Sequence, residues 1–174
     1  DSKIMRKFLF KIKNYGLLEF LVFSSFVYVV SMLLWTASTR SAVEEKANVV
    51  KSNHKIIVDF INNEINKCDS ADDQSKTEWG DLCKKEWSSE KIVKFINSNM
   101  KLKNPYSSSK NIILLAQDPR LQAEGNAGQS TEIGVIFLSS KNISSEPGSE
   151  WVLGTCVKSP CVAAGNNELT SIYR

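Results

Sequence analysis

The chain has 174 residues, of which 42% are hydrophobic and 24% charged, and its formal net charge is +3. That length holds one domain with a modest core plus an anchoring segment, and the composition excludes a chain that is wholly disordered or wholly embedded in a membrane. The charge is not a nucleic-acid footprint: residues 1–14 hold Lys3, Arg6, Lys7, Lys11 and Lys13 against Asp1, which is five of 22 bases and one of 19 acids. The other residues keep 17 bases and 18 acids and are nearly neutral.

Residues 1–14 therefore form a basic leader or cytoplasmic tip. The chain opens on Asp1-Ser2 rather than methionine, so the leader length is open. An apolar run follows from Leu17 to Trp35 (LLEFLVFSSFVYVVSMLLW). A helix needs roughly 20 such residues to cross the hydrocarbon core. A secretory signal is the rival, but its apolar core is typically about 7–15 residues and ends at a small-residue cleavage site. Residues 15–35 are accordingly expected to be an uncut span. The bases before it place the N-terminus in the cytoplasm and everything after about Thr36 outside. Trp35 then falls at the outer interface, where aromatic rings are favoured.

The period changes after Trp35. Val43, Ala47, Val50, His54, Ile57, Ile61 and Ile65 recur at steps of three and four, which draws one apolar stripe along a helix. No proline or glycine interrupts residues 17–67, so one continuous helix of about 75 Å is expected, its second part, 36–67, amphipathic. Residues 68–174 are the globular head. Between Cys68 and Cys83 an acidic stretch (Asp69, Asp72, Asp73, Asp81) reads as a loop, and Trp79 and Trp87 bracket Cys83. A second helix is predicted over Ser89–Met100, capped by Ser88 or Ser89, with Ile92, Val93, Phe95 and Ile96 on its buried side and Asn104-Pro105 beyond it. Strand character marks Asn111–Ala116, Glu132–Ser139, Glu150–Val157 and Leu169–Tyr173, separated by polar turns. These predict an antiparallel meander, and a helix laid on it gives an α+β head. Asn142-Ile-Ser matches a glycosylation acceptor.

Four cysteines in an exported head read as disulfides. They allow three pairings, of which the sequential one, Cys68 with Cys83 and Cys156 with Cys161, closes two local loops. With one histidine and no Cys-x-x-Cys pair, zinc is not expected. That single His54 also excludes a multi-histidine metal site, and its place on the stripe predicts a packed core position. No phosphate loop or nucleophile motif is present, so neither a cofactor nor an enzymatic activity is expected.

This order of features resembles the type IV pilins and pseudopilins. Tyr15-Gly16-Leu17-Leu18-Glu19 stands where that family has the mature start Phe-Thr-Leu-Ile-Glu. The stretch TRSAVEEKANVVKSNHKIIVDFINNEINKC is similar to its amphipathic half-helix, and GTCVKSPCVAAGNNELTSIYR to its last strands, with Cys156 and Cys161 as the loop pair. The resemblance implies a subunit that assembles through its N-terminal helix into an extracellular or envelope-spanning filament. It further implies residence in a bacterial inner membrane before assembly, and as partners copies of itself or related pilins and the inner-membrane assembly machinery. Roles in adhesion or secretion and methylation of the mature N-terminus belong to the same implication, with no nucleic acid expected. Leader cleavage maps to Asn14, Tyr15 and Gly16, with Asn14 where the family has glycine. Tyr15 and Glu19 become the assembly residues, because the family's glutamate is thought to pair with a neighbour's first amine. A buried carboxylate there costs about 2–3 kcal/mol to insert and needs a partner; Lys11, Lys13 or water would serve equally. Ser24, Ser25 and Ser31 either let helices approach closely or bond their own backbone. The alternative to a filament is an uncleaved single-pass accessory subunit with an exported, partner-binding head.

Overall fold

The computed structural model describes residues 16–69, 88–107, 111–125, 132–140 and 150–173. Asn14, Tyr15, Trp79, Cys83, Trp87 and Asn142 lie outside the described residues. The architecture is α+β. Helix α1 runs over Leu17–Asp69, 53 residues, unbroken because no proline or glycine occurs in it. The chain divides into two compact units, residues 1–42 and 43–174.

In the second unit the 43–69 part of α1 buries Ala47, Val50, His54, Ile57, Ile61, Ile65 and Cys68, the face set by the three-and-four spacing. Val43, expected to open that stripe, is 43% exposed, so burial begins one turn later. Helix α2, Ser89–Asn99, buries Ile92 and Ile96, while Phe95 stacks on Phe60 of α1 at 5.9 Å between ring centroids. Ser88 holds the N-cap position, but its side chain makes no capping bond.

Four strands follow: β1 Ile113–Ala116, β2 Ile136–Ser139, β3 Glu150–Cys156 and β4 Asn167–Tyr173, in the order β1-β2-β3-β4. The expected all-antiparallel meander is corrected at one place. β2–β3 and β3–β4 are antiparallel, but β1 and β2 are parallel, with Ile113 opposite Ile136. The cause is the connection over residues 117–135, long enough for a parallel crossover, which needs about a dozen residues. It contains a short helix, α3, Pro119–Glu124, that the strand-and-turn reading passes over. Its signals are all in the sequence. The Asp118 side chain accepts from the amides of Arg120 and Leu121, Pro119 stands at the first helical position, and Gly125 closes the helix at φ 75°.

The core fills the space between α1, α2 and one sheet face. Ile57, Ile61 and Ile65 meet Ile113, Ile136, Leu138, Trp151, Leu153 and Ile172 in one buried cluster. Successive strand residues alternate faces, so Gly154 points away from that cluster. A Cβ at Gly154 would lie 2.2 Å from the Pro119 carbonyl oxygen, which places α3 against the opposite face. β2 is therefore covered on both sides, and all four of its residues are buried.

Asn97 of α2 fixes the start of the sheet. Ile136 donates its amide to the Ile112 carbonyl, so the backbone groups of Ile113 point away from β2. The Asn97 amide meets them. Nδ2 donates to the Ile113 carbonyl at 2.8 Å, and Oδ1 accepts from Ile112 at 3.0 Å and Ile113 at 3.3 Å. Replacing Asn97 with alanine strips these half-buried groups and is expected to cost about 2 kcal/mol. Asn99→Ala, whose side chain returns only to the exposed Phe95 carbonyl, should cost under about 0.5 kcal/mol. Urea denaturation of the two variants measures the difference, and equal midpoints would contradict the bridging role.

Candidate functional site

The first described unit carries the residues expected to mediate assembly. Every described side chain from Leu18 to Trp35 is exposed, and all but Glu19 and three serines are large and apolar. This part of α1 is long and apolar enough to cross a membrane.

Gly16 precedes the first helical residue, and its carbonyl accepts the Phe20 amide at 3.1 Å, which makes it the N-cap. Glu19 is then the third helical residue. Its Oε2 accepts the Gly16 amide at 3.0 Å, the return half of a capping box. A helix N-terminus carries a partial positive charge, so a carboxylate in this turn is also favoured electrostatically. The sequence offers Glu19 a neighbour's amine, Lys11, Lys13 or water as partner; the bond present is to the amide of its own chain three residues earlier, which sequence reasoning misses. The signal was available in the spacing Gly16-x-x-Glu19.

The hydroxyls in the run are also satisfied locally. Ser24 donates to the Leu21 carbonyl at 3.0 Å, Ser25 to Val22 at 2.8 Å and Ser31 to Val27 at 2.7 Å. Thr36 and Thr39 do the same toward Leu33 and Thr36. The backbone bonding expected of these serines is thus present in the structure. Such bonds hide a polar group against the helix, so the outward surface of the run is hydrocarbon.

In the second unit, Cys156 and Cys161 are joined by a disulfide. Cys68 is disulfide-bonded as well, and its expected partner Cys83 lies outside the described residues. The 156–161 loop is held from both sides. Asn166 Nδ2 donates to the Pro160 carbonyl at 2.9 Å and Asn167 Nδ2 to the Cys161 carbonyl at 2.6 Å, while Val157 donates to the Asn166 carbonyl at 2.8 Å. Val157 then packs with Ala47 and Val50 of α1, and Lys158 forms an ion pair with Glu44. Local pairing of the cysteines thus serves to seat the loop on the helix.

His54 is buried, as its stripe position predicts, with Nε2 2.9 Å from Thr170 Oγ1 of β4. Among the described residues, no three of His, Cys, Asp and Glu gather as metal ligands would. The structure brings no acid, base and nucleophile together at the positions singled out above. What it does assemble is a surface: an apolar helix with a capped acidic start, attached to a disulfide-bonded head. No family model, curated protein or solved structure matches the chain.

Proposed function

We propose that this chain is a non-catalytic, membrane-anchored subunit that assembles through α1, in the manner of a type IV pilin. The observation that carries the reading is the exposed apolar surface from Leu18 to Trp35, on a helix whose later part is buried against a head with its own core. An exposed hydrocarbon surface of that length is stable only in lipid or against other helices. The basic residues before it favour an orientation with the N-terminus in the cytoplasm and the head outside. Before assembly the helix lies in a bacterial inner membrane; afterwards, packed helices of neighbouring subunits replace the lipid, and heads cover the filament.

One observation favours a second reading, the uncleaved accessory subunit. Glu19 already takes the amide of Gly16, so its carboxylate does not depend on a neighbour. Asn14, where the related peptidase site has glycine, points the same way. In that case the apolar surface packs in a fixed membrane complex and the head meets a partner.

Glu19→Ala separates the two. The head core does not involve Glu19, so urea unfolding of the head should be unchanged. If Glu19 pairs across subunits, losing about 2 kcal/mol of partnered carboxylate should reduce sheared filament yield by roughly tenfold or more. Unchanged yield would remove Glu19 from assembly. The mass of the native N-terminus gives an independent answer: a chain starting at Tyr15 or Leu17 supports the filament, and an intact 1–16 segment in a complex of fixed stoichiometry supports the accessory subunit.

A further inference from the structure

His54 is the chain's one histidine, and it stands where α1 faces the edge strand β4. The side chain lies on the buried stripe between Val50 and Ile57 and is 4% exposed. Nε2 is bonded to Thr170 Oγ1, and among the described residues Nδ1 has no hydrogen-bond partner. A buried N–H without an acceptor is costlier than a buried lone pair, so the proton belongs on Nε2, which donates to Thr170. Protonation would place a second N–H at Nδ1, charged and facing no acceptor.

Among the described residues, the charged groups at this contact are Glu168 and Lys51. On β4, Glu168 lies one pleat away and favours the imidazolium; it is bound at 3.3 Å by Lys51, one turn before His54 on α1. β3 offers no charge at this level, since Leu153 stands opposite Thr170 and Thr155 opposite Glu168. Burial outweighs Glu168 and holds the imidazole down at about 4. The folded pKa is below the free value, so the neutral ring supports the fold fully above about pH 6.5, and that support is lost as pH falls through about 4.

We propose that His54 is an acid-sensitive latch, whose protonation releases strand β4 from α1 while the remainder of the sheet stays folded. The effect is local because of where β4 sits. Among the described residues it pairs with β3 alone, whereas β2 is paired on both sides and buried on both faces. Among the described residues the polar ties from α1 to β4 are His54–Thr170 and Lys51–Glu168, and the first of them holds the imidazole whose charge state changes.

Hydrogen exchange of the full chain in detergent micelles at pH 6.5 and 3.5, corrected for intrinsic rates, tests this. The protection of Asn167–Tyr173 should fall about tenfold or more, with that of Ile136–Ser139 unchanged. Glu168→Gln should keep the fall, and His54→Asn should remove it. Constant protection of β4, equal losses in β2 and β4, or an undiminished fall in His54→Asn would each overturn the latch. Should His54→Asn not fold, the imidazole resonances of the unaltered chain decide: their titration midpoint must coincide with the loss of β4 protection. A separation of more than about one pH unit would overturn the proposal.

Discussion

Truncating Trp151 to alanine should destabilise the head by about 4 kcal/mol, the upper range for removing a buried aromatic side chain. Trp151 is fully buried at the start of β3, opposite Ile172 of β4, and belongs to the cluster that joins the sheet to Ile57, Ile61 and Ile65 of α1. No smaller side chain in that cluster could move across to fill its volume without leaving its own place empty. A domain of this size is held by only about 5–15 kcal/mol, so the variant should retain a small share of its stability. Urea denaturation followed by far-ultraviolet circular dichroism reads the change. The apolar half of α1 lies outside this core, so the transition to follow is that of the head. A loss below about 1 kcal/mol would mean that Trp151 is not part of a tightly packed centre.

Gly154→Ala should cost about 3 kcal/mol for the opposite reason, since it adds an atom where there is no room. The new Cβ would lie 2.2 Å from the Pro119 carbonyl oxygen and 3.1 Å from the Ala123 Cβ. A backbone carbonyl cannot swing aside as a side chain can, so α3 would have to lift from β3 as a unit. Its amides should lose exchange protection before those of β2 do, because β2 retains its partners on both sides. Measured stability within about 1 kcal/mol of the parent, with α3 still protected, would show that the helix slides freely over the sheet.

The sequence makes the helical parts readable because their signals are periodic and long. Ala47 to Ile65 repeats at helical spacing over five turns, and one proline-free, glycine-free stretch joins it to the apolar run. The buried faces of α1 and α2 follow from that spacing alone. The direction of β1 does not. Strand character in Ile113–Ala116 is the same whether its neighbour runs parallel or antiparallel, and the difference lies in how residues 117–135 return. Asp118-Pro119 and Gly125 announce a helix there, but only six residues separate cap from cap, too few for an apolar period to appear. At the candidate site the apolar surface and the placement of Glu19 were legible, whereas its partner was not. A carboxylate beside an apolar run suggests a distant countercharge, while the bond actually made is to a backbone amide, which leaves no mark in a residue's identity. Asn97 escaped for the same reason: nothing in Phe95-Ile96-Asn97 tells that its amide will meet a strand.

The manner in which Asn97 meets Ile113 limits how molecules can join. A sheet with two bare margins can add further sheets at either side without end, the geometry that leads to fibrils. Here a side-chain amide already fills the outward backbone positions of Ile113, where an incoming chain would begin to pair with β1, and among the described residues no side chain caps β4 in this way. Two heads that met there would have no second margin of equal quality to offer a third. Growth by that route would stop at a pair of heads.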